Sequence, residues 1–217
     1  MWRKLKILYL LGLLTGLSLS SEAWGQSHSY MNQMRSSDIK YFFFQQSVDG
    51  EIGIQKMTVQ TAEDGTTLKE PKQQTKGWKG VGIDSTVGME ILRFVQFQLG
   101  HTFINLNGQD DGLATLSGSR LHAGVRAVFT APVANLEMGA GVLGSRLDYR
   151  LQMSNTSLYG SGSYAAFGLS YFFSPRVSLF GEGRMIREHL VRSGGSPISS
   201  SIDTEISTLG MGFRIWL

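Results

Sequence analysis

The carboxy-terminal stretch 206–217 alternates between two kinds of side chain. Leu209, Met211, Phe213, Ile215 and Leu217 are apolar, while Thr208, Gly210, Gly212, Arg214 and Trp216 are mostly small or polar. A period of two is that of a β-strand with one apolar face and one mixed face. The pattern recurs upstream. Val81, Ile83, Val87 and Met89 alternate with Gly80, Gly82, Asp84, Thr86 and Gly88. Val95, Phe97, Leu99 and Phe103 alternate with Gln96, Gln98, Gly100 and Thr102. Residues 121–129, 136–142, 165–173 and 177–185 repeat it. A less regular stretch at 51–61 puts Ile52 and Ile54 on one face and Met57 and Val59 on the other. Counting that stretch first, the pattern predicts eight strands. In the fifth, the period slips near Leu143 and Gly144, then resumes with Leu147, Tyr149 and Leu151 on a common face. Such a slip predicts a bulge or an excursion beyond a membrane.

The connections alternate in length. Polar stretches at 62–76, 105–112, 154–162 and 191–201 are long, and those near 90–92, 131–133 and 174–176 are short. Long loops on one side and tight turns on the other characterise bacterial outer-membrane barrels. The expected fold is all-β: an antiparallel up-and-down transmembrane barrel of eight strands over residues 51–217. An even number of strands returns both ends to one side. Residues 24–50 read as a periplasmic lead-in that holds the densest aromatic run, Tyr41-Phe42-Phe43-Phe44. A ninth crossing there would separate the chain ends. A single strand from 39 to 59 would run about 70 Å at ~3.3 Å per residue, more than a bilayer needs. The aromatic run is therefore expected outside the barrel, and Val48-Asp49-Gly50 reads as a turn.

Composition narrows the class further. Mean hydropathy is −0.06, which does not suit a helical membrane protein. The 27 glycines against 4 prolines suit a crowded barrel interior and bends. Cysteine is absent, so disulfides, thiolate metal sites and acylation on cysteine are excluded. A net charge of +3 makes no case for nucleic acid. At the amino terminus, a basic segment (Arg3, Lys4, Lys6) precedes a mostly apolar run over 7–19 and small residues at Ser21 and Ala23. This is the pattern of a secretory signal peptide over residues 1–23, cut before Trp24. The remainder has no run of eighteen apolar residues, so an exported chain could cross a membrane only as a barrel.

With the apolar face on lipid, Asp84, Gln96, Gln98, Arg120, His122, Arg126, Glu137, Glu182, Arg184 and Arg214 point inward. The interior of an eight-stranded barrel is only wide enough for side chains to fill. Buried charges need opposite partners and hydrogen bonds, so the expected product is a packed ionic network. The alternative is a narrow, gated pore. The packed reading requires the acids to lie within hydrogen-bonding distance of arginines, with Glu137, Glu182 or Asp84 serving Arg214. Trp78, Tyr149, Tyr159, Tyr171, Phe173 and Trp216 fall near strand ends, where interfacial aromatic girdles are expected.

Other chemistry finds little support. His28, His101, His122 and His189 are dispersed, and no metal or cofactor is expected. The best candidate for a catalytic site is His189 at the outer rim, with Ser193 or Ser196 and either Glu188 or Asp203. Nothing in the spacing assembles them, and an interfacial histidine beside ordinary loop serines is the simpler reading. No phosphate-binding loop, zinc motif or dinucleotide fingerprint is present.

The leader ending Ser21-Glu22-Ala23, the segments G-V-L-G, A-A-F-G-L-S-Y-F-F and S-L-F-G-E-G-R, and the end L-G-M-G-F-R-I-W-L together resemble the small eight-stranded outer-membrane proteins, the OmpA/OmpX-like class. The resemblance spans residues 51–217 and departs at Leu217, where the class usually ends in phenylalanine. It implies residence in the outer membrane of a Gram-negative bacterium, among its lipids and lipopolysaccharide. It also implies recognition of the last strand by the assembly machinery. Roles in the class differ: envelope stability, adhesion, host-factor binding or lipid modification. The expected role here is structural or surface-interacting, with any extracellular ligand held by the loops 62–76 and 190–203. A narrow passive pore, a rim lipid-modifying enzyme and a soluble periplasmic β-protein are the alternatives.

Overall fold

A computed structural model describes residues 41–59, 62–63, 67–68, 72–91, 94–109, 114–130, 134–151, 154–174, 176–192 and 200–217. The alternating segments form a closed barrel of eight antiparallel strands. They are β1 (Tyr41–Val59), β2 (Lys72–Ile91), β3 (Val95–Gly108), β4 (Ala114–Thr130), β5 (Ala134–Leu151), β6 (Ser154–Ser174), β7 (Val177–Arg192) and β8 (Ser200–Trp216). Consecutive strands pair, and β8 closes on β1. A two-residue ladder of Ala62–Glu63 with Thr67–Leu68 lies in the β1–β2 connection. The leader predicted over 1–23 and the lead-in as far as residue 40 lie outside the described residues.

The pairing sets the barrel's dimensions. One row of partners runs Ile83, Phe103, Ser119, Arg146, Tyr159, Val191, Ser201, Thr58 and returns to β2 at Gln73. The row has shifted ten residues along β2 on its way round. With ordinary strand spacing and rise, that stagger tilts the strands by about 40° and gives a radius of about 8 Å. A tilted strand needs more residues to gain the same height.

Tilt bears on the first strand, where the structure departs from expectation. β1 begins at Tyr41 and not near Glu51, and the aromatic run is part of it. Val48, Asp49 and Gly50 are not a turn. They pair with Met211, Gly210 and Leu209 on β8 and with Ile83, Gly82 and Val81 on β2. Phe42, Phe44, Val48, Ile52 and Ile54 face outward, while Phe43, Gln45, Ser47, Asp49 and Glu51 are buried. The alternation was hidden because Gln46 and Gly50 interrupt the outer face. The strand count stays at eight because the aromatic segment extends the first strand and adds no crossing.

Several strands also run farther from the short turns than their apolar periodicity indicated. β6 includes residues 154–162, expected as loop, and β5 pairs without a break through Leu143 and Gly144. The slip in β5 is no bulge. Its inner face changes from polar to apolar: Asn135, Glu137 and Ser145 are buried, and so are Leu143 and Leu147. The same exchange occurs on β8, where Leu209 to Leu217 face out below Thr208, but Ile206 and Ile202 face in above it.

The barrel therefore has two regimes. Around its lower part, nearest the short turns, the wall is apolar outside and polar inside. Beyond a boundary near Lys79, Asn105, Ser119, Arg146, Ser163, Arg187 and Ser207, the wall is polar outside and apolar inside. There Trp78, Leu106, Leu116, Leu147, Leu158, Leu190 and Ile206 fill the lumen as a hydrophobic core. The lower belt is the surface that meets lipid. The upper part stands in water and is built like a soluble barrel.

Candidate functional site

Period-two alternation on strands of known register brings the predicted inward side chains together. Asp84 on β2 takes four donors or partners. Arg184 Nη1 donates to it at 2.8 Å, Thr86 at 2.6 Å and Thr102 at 2.7 Å, and His122 Nε2 lies 2.8 Å away. Arg184 also pairs with Glu182, which pairs with Arg126. Arg126 Nη1 donates to Glu137 at 2.9 Å. Arg214 grips Glu137 with both terminal nitrogens, at 2.5 and 2.8 Å, and donates to Gln45 from Nε at 2.9 Å. Of the three acids considered for Arg214, the register selects Glu137.

Asp84, His122, Arg126, Glu137, Glu182, Arg184 and Arg214 thus form one chain of contacts across the lumen. Arg120 stands apart. It donates to Glu188 at 2.7 and 3.2 Å and to Glu51 at 2.8 Å, and Ser145 caps Glu188 at 2.6 Å. Glu51 and Glu188 were missed as network members, as was Gln45. Glu51 and Gln45 lay in a segment read as irregular or as lead-in, although the spacing Gln45, Ser47, Asp49, Glu51 carried the signal. Glu188 is a rim candidate by sequence, but its even-numbered position on β7 turns it inward with Glu182 and Arg184.

Two lumen glycines are required by this crowding. A Cβ on Gly100 would lie 2.3 Å from the His122 ring and from Thr86 Oγ1, and one on Gly124 would lie 2.2 Å from Tyr164 Oη. Tyr164 lies over that gap, edge-on to His122 at 5.8 Å, and accepts from Gln98 at 2.8 Å.

Apolar layers bound the network above and below. Towards the short turns, Phe43 and Phe172 pack on Trp216 at 5.2 and 6.2 Å, and the Arg214 guanidinium lies over Phe43, Phe180 and Trp216. On the other side is the hydrophobic core, where Trp78 is fully buried, meets Tyr149 edge-on and donates to Gln55 at 2.7 Å. Of the aromatic residues expected in girdles, Tyr159, Tyr171 and Phe173 do face outward. Trp78 and Trp216 close the lumen instead, because each falls on the inner parity of its strand.

At the rim, His189 Nδ1 lies 2.7 Å from Asp203 Oδ1 on the outer wall, both exposed. Glu188 is on the opposite face, and Ser193 and Ser196 lie outside the described residues, as does His28. His101 is on the outer wall, edge-on to Phe103 at 4.3 Å. Among the described residues, no group of three His, Cys, Asp or Glu side chains is placed to hold a metal ion.

No family model matches the chain, and no curated protein matches it. Solved structures do. The outer-membrane protein OprG of Pseudomonas aeruginosa superposes with a TM-score of 0.55 at 13% identity, over 83% of this chain and 97% of its own. The fold is that of the small outer-membrane β-barrels. Neisserial surface protein A is also similar, with a TM-score of 0.49 and 15% identity over 78% of this chain and 96% of its own. With its apolar lipid-facing belt, the barrel is an integral protein of the Gram-negative outer membrane.

Proposed function

We propose that the protein is a non-enzymatic outer-membrane barrel with a structural and surface-interaction role, its lumen a fixed ionic core and not a conduit. The observation that supports this reading is the stack of three filled layers: an aromatic base around Trp216, the ionic middle, and the hydrophobic core above it. Arg120, Arg126 and Arg184 are each held between two carboxylates. Breaking one such buried pair costs about 3–5 kcal/mol, and a continuous water path would break several and part the apolar layers as well. Contacts with the surroundings then fall to the extracellular wall and to the connections between β1 and β2 and between β7 and β8. The last strand, apolar at alternate outward positions, presents the segment that assembly machinery would read.

Purified full-length protein in planar bilayers tests the proposal. No reproducible openings are expected across ±100 mV (about 2.3 kcal/mol per unit charge moved). Stable, protein-dependent conductance steps would overturn it in favour of a passive pore.

A further inference from the structure

The lipid-facing belt is apolar except along one short row. Gln46 on β1, Ser85 on β2 and His101 on β3 face outward and are successive cross-strand partners. They lie in the middle of the belt. On β2, Val87 and Met89 follow Ser85 towards the short turn, and Ile83 and Val81 separate it from the boundary at Lys79. Apart from Tyr171 in the aromatic girdle near the short turns, no other outward side chain of the belt is polar among the described residues. None of the three side chains makes a hydrogen bond to another described residue, and His101 meets the Phe103 ring edge-on at 4.3 Å. A polar side chain among hydrocarbon has no water to bond, and leaving its donors and acceptors unpaired is costly. Three on one row therefore point to a partner that presents hydrogen-bonding groups at the same depth, which an acyl chain does not.

We propose that this row is the centre of an interface between two copies of this chain within the membrane. Three features select a second copy. Copies inserted in the same direction carry the row at the same depth. Glutamine, serine and histidine side chains each carry a donor and an acceptor, so the set is complementary to itself. Two copies side by side are related by a two-fold axis along the membrane normal, and such an interface sets one patch against its own image. With the axis passing beside Ser85, each Ser85 faces its counterpart. Gln46 and His101, one strand to either side, then face each other across the axis. The strand tilt of about 40° sets those two about 6 Å apart in height, a gap that the two side chains span. In the adjacent row, Phe44, Val87 and Leu99 border an apolar concavity of about 760 Å³. It gives the apolar side chains of the second copy a recess beside the polar contact.

The test uses full-length protein in phosphatidylcholine vesicles, with donor- and acceptor-labelled copies mixed and energy transfer followed as lipid is added. A reversible monomer–dimer equilibrium is expected. Gln46→Leu combined with His101→Phe should weaken it at least tenfold. Both new side chains suit lipid, so heat-modifiable migration on a detergent gel should be unchanged. The chain has no cysteine, so Ser85→Cys supplies a single thiol and keeps Gln46 and His101 in place. Oxidation should cross-link the Ser85→Cys copies and leave Leu169→Cys copies, substituted on the opposite wall, as monomers. Protein that stays monomeric at every lipid ratio would overturn the proposal. So would a double variant that associates as tightly as the original, or equal cross-linking from the two cysteine positions. Conductance does not enter this test, so its outcome is separate from that of the closed-lumen reading.

Discussion

The two halves of this barrel solve the same packing problem in opposite ways. In the belt, lipid surrounds the wall, and apolar residues outside leave polar residues to fill the lumen. The cost of burying Arg126, Arg184 and Arg214 is offset only by close pairing with Glu137, Glu182 and Asp84. Above the belt, water surrounds the wall, and the same strands bury leucines and isoleucines in an ordinary hydrophobic core. Neither strand direction nor register changes between them. What changes is the solvent outside, and the sequence exchanges its two faces to match. An ionic core depends on every partner being present, whereas an apolar core loses stability in proportion to the volume removed.

The largest expected effect breaks the ionic side. Arg214→Ala leaves Glu137 with one of its two arginines and opens a space below it. A loss of about 3–5 kcal/mol is expected, read as a lowered urea midpoint for the folded, heat-modifiable band in detergent. Replacing both partners, Arg214→Met with Glu137→Leu, should recover most of that loss. If the double variant is as unstable as the single one, the pairing account of the lower lumen is wrong.

On the apolar side, Leu147→Ala removes a fully buried side chain of the upper core. It should cost about 2–5 kcal/mol in the same assay, with no partner change able to restore it. A cost below about 1 kcal/mol would mean that the upper half is not a packed core. The smallest expected effect concerns the boundary itself. Leu169→Arg, in the middle of the belt on β6, should destabilise by about 2–4 kcal/mol, while Ser119→Arg, just above the boundary, should stay within ~0.5 kcal/mol. Equal effects at the two positions would misplace the lipid surface.

How far the sequence could be read follows from the same contrast. Strands whose outer face is continuously apolar were legible over their belt portions, and the lumen residues on β2, β4, β5, β7 and β8 followed from parity alone. The upper portions were not legible as barrel, because a search for apolar-out strands stops where the faces exchange. Residues 154–162 of β6 looked like loop for that reason, and Leu143 with Leu147 looked like a slip. β1 was obscured differently. Gln46 and Gly50 interrupt its outer face, and its length exceeds one bilayer, so the segment Phe42 to Glu51 was assigned away from the barrel.

By itself the sequence determined the period of two, the even strand count and the parity that sends Arg214, Glu137 and Asp84 to the same interior. These are local properties, since alternation on a strand is a consequence of backbone geometry. Partner choice was decided only by the tertiary structure. Whether Arg214 meets Glu137, Glu182 or Asp84, and that Arg120 meets Glu51 and Glu188, depends on the stagger between strands far apart in the chain. That stagger is a property of the closed barrel, set when β8 pairs with β1, and no single strand carries it.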